Sequence, residues 1–481
     1  YLDGTEFTTQ SMAAETHDGV YTLGYNSSYF DGSIALFRVY DENLTTRNVR
    51  YLYEKNRDRF ASGPADDSPK ITRILPSVSS MNGEDRVEIQ GWNLGSATSI
   101  SLGSSGADIM ASSTGFIIAH TATAEGSNTA TGAFTNLTVT NSNGSNTATG
   151  SYMYTNTATG NVLLWLDAAN ATGTGAKGDI ITSNEWMSTI GGARASLRNF
   201  TLPGDGDSGW DGTGVVGDPY RLEFDGTNDN VNTGLIEDPQ AFSLWFNADT
   251  IDSNQRGLYA YSSYNYAYIR YNELYVNYNS SSPVSIGIVE DKWYHLMVSN
   301  DGSTTRYYLD GTEFTTQSYP AETHDGLYEL GFNSSYFNGA MGSFRVYSDY
   351  ITPTEVSTIY NEERTRYYSA PAGGLPKITR VLPNVGDTNG DSGIELQGWN
   401  LDDTSGVTMN GNSVSFSINN SSSVLIDSVS ASTAGTASGA FADIKLTNAS
   451  GDHTATGSYL YTATATGNVL LWLDAANATG T

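Results

Sequence analysis

Short runs of alternating apolar and polar residues dominate the chain. RVEIQGW (86–92), LYVNY (274–278), WYHLMVS (293–299), RYYLDGTEF (306–314) and GSFRVY (342–347) are rich in Tyr, Val, Ile and Thr. A two-residue period places successive side chains on opposite faces, so these runs predict half-buried strands. Asn-Gly, Asp-Gly and Ser-Asn clusters separate them, and the chain therefore reads as all-β. Asp310-Gly311, its twin Asp3-Gly4, and Asp301-Gly302 predict tight two-residue hairpin turns, because Gly and Asp tolerate the positive φ such turns need. One helix stands out at 352–360, with Thr352 as N-cap, Pro353 at N1, Glu355 at N3 and an apolar stripe of Val356, Ile359 and Tyr360. Val49, Leu52 and Tyr53 repeat the stripe. Such a helix is expected to close a sheet and to carry no function of its own.

The sequence repeats itself at one offset. YLDGTEFTTQS begins at Tyr1 and Tyr308, PKITR at Pro69 and Pro376, and TATGNVLLWLDAANATGT at Thr157 and Thr464, each pair 307 residues apart. That period is far longer than a solenoid unit, so each repeat must hold whole domains. Linker-like stretches, ASGPADDSPK before Ile71 and SAPAGGLPK before Ile378, divide it into a small and a large module. The expected order is half a large module at 1–61, a small module at 69–155, a complete large module at 160–368, a second small module at 376–462, and the opening strand of another large module at 467–481. Each end cuts a repeat. The expectation is a slice of a longer polypeptide; completion by strand donation from neighbouring chains is the competing account, but residues resembling 174–306 would have no source at such a junction.

The large module, with NVLLWLDAAN, LEFDGTNDNV from Leu222, AFSLWFNAD from Ala241, DKWYHLMVSNDGSTTRYYLDGTEF from Asp291 and GSFRVYSDYITPTEVSTIYN from Gly342, resembles laminin-G-like domains of the concanavalin A-like jelly-roll type. The small modules, PKITRILPSVSSMNGEDRVEIQGWNL and its twin, resemble the immunoglobulin-like IPT/TIG domain. The resemblance implies jelly-roll sandwiches alternating with immunoglobulin-like sandwiches in a 307-residue tandem repeat, in a secreted or surface protein.

Charge narrows the function. With 23 Lys and Arg against 52 Asp and Glu, the net charge of −29 opposes nucleic acid. The absence of Cys excludes disulfides, thiolate metal sites and a cysteine nucleophile, and no apolar run is long enough to cross a bilayer. A glycosidase would need a kept pair of carboxylates. The nearest cluster, Glu84-Asp85-Arg86-Val87-Glu88, becomes Asp391-Ser392-Gly393-Ile394-Glu395 in the second copy, and Glu362-Glu363 reads as solvated helix surface. An enzyme is not expected. No two of the five His adopt metal spacing, and His295 reads as a packed strand residue.

Calcium as a structural ion is the one cofactor expected, since acidic Gly-rich loops offer the oxygens it takes. The candidate ligands are Asp225, Asn228 and Asp229 in one loop and Asp205, Asp207 and Asp211 in another; where laminin-G-like domains bind calcium, they often do so near the first. Tyr261, Tyr264, Tyr266 and Tyr268 crowd one strand pair and are candidates for stacking on sugar. Asn26 and Asn333 are candidate glycosylation acceptors. The expected function is a structural repeat protein forming an extracellular filament, stalk or adhesin shaft, with self-association or chain continuation as its partnership. The alternative is a lectin-like surface adhesion module that binds surface glycans.

Overall fold

Alternation in the sequence becomes alternation in burial. Along Arg86–Trp92, Val87 and Ile89 are fully buried while Arg86, Glu88 and Gln90 turn outward; along Phe441–Asn448, Ala442, Ile444 and Leu446 do the same. A computed structural model describes residues 21–463, apart from 27, 41–42, 58, 84, 130–131, 157–160, 173–182, 192, 237, 263–264, 281 and 322–325. The expected opening strand at 467–481 and the turn at Asp3-Gly4 lie outside the described residues. The chain forms two compact units that divide between Tyr367 and Tyr368.

The two small modules share the pairing of their first and last strands, although the first joins its strands in one eight-stranded sheet and the second divides them into a four-stranded and a five-stranded sheet. Strand Lys70–Leu75 pairs antiparallel with Arg86–Trp92, with Lys70 opposite Trp92 and a register shift after Ile71. Lys377–Leu382 pairs with Ile394–Trp399 in the same way, with Lys377 opposite Trp399 and the shift after Ile378. In each, a short strand lies parallel to the end of the last one: Val78–Ser80 beside Met153–Thr155, and Val385–Asp387 beside Leu460–Thr462. Each core is aliphatic with two tyrosines in edge-to-face contact, Tyr152 and Tyr154 in the first and Tyr459 and Tyr461 in the second.

The large module is a sandwich of an eight-stranded and a ten-stranded sheet. In the first, Asn338–Tyr347 is flanked by Ala241–Ala248, Arg221–Asp225 and Val162–Asp167. Leu164, Leu166, Phe242, Leu244 and Phe246 point from this sheet into the shared core, where they meet Ala267, Ile269, Val276 and Leu330 of the other. Successive residues turn the opposite way, so Trp165, Trp245 and His295 line the outer face and need another cover.

Helix α2 (Pro353–Tyr367) is that cover for Trp245 and His295. Its start is the expected capping box: the Thr352 hydroxyl accepts from the Glu355 amide (3.3 Å), and the Glu355 carboxylate accepts from the Thr352 amide (2.9 Å). Val356 and Ile359 bury themselves against Met297, Tyr308 and Tyr347. The twin helix α1 (Thr46–Arg57) docks on the first small module, where the Arg57 guanidinium lies 4.0 Å over the Trp92 ring and donates to the Gly91 carbonyl.

The turns are half as expected. Asp310 and Gly311, with φ of 50° and 74°, join Leu309 directly to Thr312 in a two-residue turn. Asp301-Gly302 does not: the ladder closes at Asn300 and Thr305, leaving a four-residue loop, because the Asp301 carboxylate accepts from the amides of Ser303 and Thr304 (3.0 and 2.8 Å) and winds the chain around itself.

Residues 21–40 and 328–347 occupy the same repeat position but differ in burial. Leu23, Phe30, Phe37 and Val39 are roughly half exposed, whereas Leu330, Phe337, Phe344 and Val346, each 307 residues on, are fully buried.

Candidate functional site

The first small module and the large module share a buried joint, built from the last turn of α2, the strand Val162–Asp167, the turn Ser188–Gly191 and the end of the strand Gly144–Thr155. Its apolar centre is Val78 and Met153 from one side and Trp165 and Ile190 from the other. Val78, Met153 and Trp165 are at most 1% exposed, so the surfaces meet without water between them.

Ser77, Asn170 and Glu362 make hydrogen bonds across the joint. The amide and hydroxyl of Ser77 both donate to the Thr189 carbonyl (2.7 and 2.9 Å). The Asn170 carboxamide donates to the Ser77 hydroxyl (3.0 Å) and to the Ser151 carbonyl (3.2 Å). Glu362 holds two groups: Oε2 accepts from the Thr155 hydroxyl and Oε1 from the Asn156 amide, each at 2.7 Å. A methyl group on Gly132 would run into the Glu362 carbonyl, so the backbones meet closely there.

Behind the joint lies a buried ionic cluster. Arg345 pairs with Glu363, and Arg366 donates to both oxygens of Asp167 (3.0 and 2.9 Å). Glu363 also accepts from the Trp245 indole (2.6 Å), and the Arg345 guanidinium lies 3.4 Å over the Trp165 ring. Two guanidinium groups meet two carboxylates, so the charges cancel. Removing one partner of such a cluster costs about 3–5 kcal/mol, because it strands the other. Trp245 stacks on Tyr367 (4.1 Å) and lies 5.0 Å from His295. His295 is fully buried, neither ring nitrogen has a hydrogen-bond partner, and burial with the Arg345 charge lowers its pKa to about 3. It is the neutral packed residue that its strand position predicts.

This geometry corrects the reading of Glu362 and Glu363 as solvated surface: they are 7% and 1% exposed. It also corrects the reading of the helix as a mere closure, since its last turn binds both modules. A signal was present. The stripe of Val356 and Ile359 continues at the next four-residue step to Glu363, which puts that carboxylate on the inward face.

The expected calcium ligands are engaged in shaping their loops. Asp205 Oδ1 accepts from the amides of Asp207 and Ser208 (3.1 and 2.9 Å), which lower its pKa, while Asp207 itself is exposed. Asp211 pairs with Arg221 (2.5 Å), which also binds Asp218 and Glu223. Asp225 Oδ1 accepts from the amides of Thr227 and Asn228 (2.7 and 3.3 Å), and the exposed Asn228 gives its carbonyl to Asn199 (2.9 Å). Asp229 differs. It is fully buried, Oδ2 accepts from the Asp225 amide (3.1 Å), and Oδ1 has no hydrogen-bond partner. Burial above all, with the charges of Asp225 and Asp205, raises its pKa. Among the described residues no three His, Asp or Glu side chains gather closely enough to hold a metal ion. Asp205 and Asp225 each use Oδ1 to cap a turn.

The candidate sugar-stacking tyrosines separate. Tyr261 packs against Tyr328 (4.6 Å) and donates to the Ile236 carbonyl (3.1 Å), so it belongs to the fringe of the core. Tyr264 lies outside the described residues. Tyr266 and Tyr268 point outward, opposite to the buried Asn265, Ala267 and Ile269, and Tyr268 stacks on Tyr275 of the next strand (4.9 Å). Tyr275 was missed by the sequence reading, although its place in LYVNY opposite the Tyr strand made it a cross-strand candidate. Asn333 is half-buried in the short hairpin Phe332–Tyr336, and Asn26 lies on the two-residue strand Tyr25–Asn26.

Comparison with known families agrees with this architecture. Residues 225–357 match the Concanavalin A-like lectin/glucanases superfamily, in its laminin-G-like branch, and residues 69–155 match the IPT/TIG domain. No curated protein matches the chain. Among solved structures, Trypanosoma rangeli sialidase is 10% identical with a TM-score of 0.33 over 45% of this chain and 35% of its own. Domain 4 of AbnA, an extracellular arabinanase of Geobacillus stearothermophilus, solved with arabinotriose, is 16% identical with a TM-score of 0.29 over 41% of this chain and 97% of that domain. The binding domain of botulinum neurotoxin DC, solved with SialylT, is 12% identical with a TM-score of 0.31 over 61% and 73%. The chain spans about a third of the length of the sialidase it matches.

Proposed function

We propose that this chain is a structural segment of an extracellular filament, stalk or adhesin shaft built from alternating IPT/TIG and laminin-G-like modules. The observation that carries the reading is the joint. Its apolar centre is buried, hydrogen bonds from Ser77, Asn170 and Glu362 cross it, and the small module of which it is made recurs 307 residues later with the same register. A joint of this kind resists bending between modules, and a repeated module lets length grow with copy number. The strong negative charge suits a solvated surface structure that must stay apart from its copies except at designed contacts. Electron microscopy of the purified protein is the test: the reading expects slender particles of constant width, and compact globules would refute it.

A second reading, a lectin-like surface module, draws on the outward ladder of Tyr266, Tyr268 and Tyr275, which are partly exposed. One face of Tyr268 is already spent on Tyr275, which weakens it as a sugar platform. A glycan array decides: binding that is lost in Tyr268→Ala would favour this reading, and an array without hits would remove it.

A further inference from the structure

In a chain of net charge −29, four arginines line one cavity. Its volume is about 290 Å³, and its wall is shared by α1, the first small module and the large module. Arg50 and Arg57 come from α1, Arg73 from the strand Lys70–Leu75, and Arg194 from the strand Arg194–Arg198. Each guanidinium is already held in place. Arg50 donates to Glu88 and lies 5.0 Å over the Phe116 ring, while Arg57 donates to the Gly91 carbonyl above Trp92. Arg73, only 5% exposed, donates to the Gly191 carbonyl (3.4 Å), and Arg194 donates to Glu185 (2.9 Å). Fixed cations of this kind lose little freedom when a ligand arrives.

Three carboxylates accompany them: Glu54 at the wall, and Glu88 and Glu185 in the ion pairs just named. Glu88 also accepts from the Gln90 carboxamide (2.9 Å), and Glu54 accepts from the Ser113 hydroxyl (3.2 Å). Burial raises the Glu54 pKa, although the Ser113 bond and the Arg57 and Arg50 charges oppose it. Four cations therefore meet three carboxylates, one of them pushed toward its neutral form. The repeated architecture does not require this set. Arg50, Glu54 and Phe116 become Ser357, Asn361 and Ser423 at the positions 307 residues on.

We infer that this cavity binds a small hydroxylated carboxylate of the uronic acid class, with its carboxylate against the arginines and its hydroxyl groups toward Tyr53, Thr72 and Gln90. Guanidinium forks match the two oxygens of a carboxylate. Tyr53 and Thr72 are exposed and Gln90 is half-buried, so hydroxyl and amide groups lie at the mouth. Phe116 and Met187 add apolar wall for the C–H faces of a ring. The volume lies at the lower end for ligand pockets, about 300–1,000 Å³, which suits a single ring. The acidic remainder of the surface repels long polyanions, so the ligand carries few charges. A shaft would stand without this ligand, so the two readings fail separately.

Titration calorimetry of the full chain tests this, with glucuronate as the probe, glucose as its neutral counterpart and sulfate as an inorganic anion. Glucuronate is expected to bind with a Kd of about 1 mM, more weakly as salt is added, and glucose is not. Arg50→Gln and Arg194→Gln come from different walls, and each is expected to weaken binding by roughly tenfold or more. Melting curves of both variants establish that they are folded, and Arg194→Lys, which keeps the charge, should recover part of the loss. An oligosaccharide ending in glucuronate separates the sources: tighter binding than the free acid points to a glycan end, weaker binding to the free acid, and either supports the inference. It is overturned if glucuronate does not bind, if glucose or sulfate binds equally well, or if both folded Gln variants bind like the wild type.

Discussion

Removing the Glu362 carboxylate should open the joint without unfolding either module. In Glu362→Ala, the Thr155 hydroxyl, only 1% exposed, loses its acceptor, and so does the exposed Asn156 amide. Hydrogen bonds to a charged group contribute about 1.5–3 kcal/mol each. The Asn156 amide can turn to water, so its share falls near the low end and the total is about 3 kcal/mol. Tenfold in equilibrium is about 1.4 kcal/mol, so opening of the joint should become more frequent by roughly two orders of magnitude. Glu362→Gln keeps the shape and one acceptor oxygen, and the rotatable threonine hydroxyl can accept from the new amide. Its cost should be about 1 kcal/mol. Hydrogen exchange read by mass spectrometry on a peptide covering 151–157 measures both, with 441–462 as an internal standard. The expected order is wild type slowest, Gln intermediate, Ala fastest. If the Ala variant changes exchange by less than about threefold, these bonds do not hold the joint.

Acid should destabilise the fold through His295. The unfolded imidazole takes a proton near pH 6.5, while the buried one does so only at about 3, so the unfolded state binds more protons between those values and stability falls as pH drops. The loss is about 1 to 1.5 kcal/mol per pH unit well below 6.5; urea melts of wild type and His295→Gln between pH 7 and 4.5 should diverge by that slope, and parallel curves would refute it. Asp229→Asn should leave stability at neutral pH unchanged or slightly raised, because burial already disfavours the charged form, and calcium should not shift the melting temperature of either protein; a calcium-dependent rise abolished by the substitution would instead make the free Asp229 oxygen a metal ligand. Arg366→Ala should cost about 3–5 kcal/mol by stranding Asp167 in the interior, read as a fall in the melting temperature.

Local rules made most of the fold legible. The period-2 runs became the strands, the Thr352 and Glu355 pair capped α2, and Asp310-Gly311 made its turn, because each depends on a few neighbouring residues. What escaped were decisions made by distant partners. Glu363 turned inward because Arg345 arrives from a strand and Trp245 from another; Glu362 is buried where Thr155, Asn156 and Gly132 of the small module meet it. Composition counts the carboxylates of the acid-rich loops without showing where their lone pairs point. In the fold Oδ1 of Asp205 and Oδ1 of Asp225 each accept from two backbone amides of their own loops. Tyr261 and Tyr266 differ because Tyr261 shares the face of Tyr259 and meets Tyr328, while Tyr266 pairs with Ala260 on the opposite face.

The parallel pairing of Val78–Ser80 with Met153–Thr155 has a mechanical consequence. The first of these strands lies near where the chain enters the module, and the second is where it leaves. Tension transmitted along the polypeptide therefore loads their hydrogen bonds in shear, so the rungs share the load and must yield together rather than unzip singly. The same placement recurs at Val385–Asp387 and Leu460–Thr462. Each small module thus carries its own clamp at the points where a pull is applied.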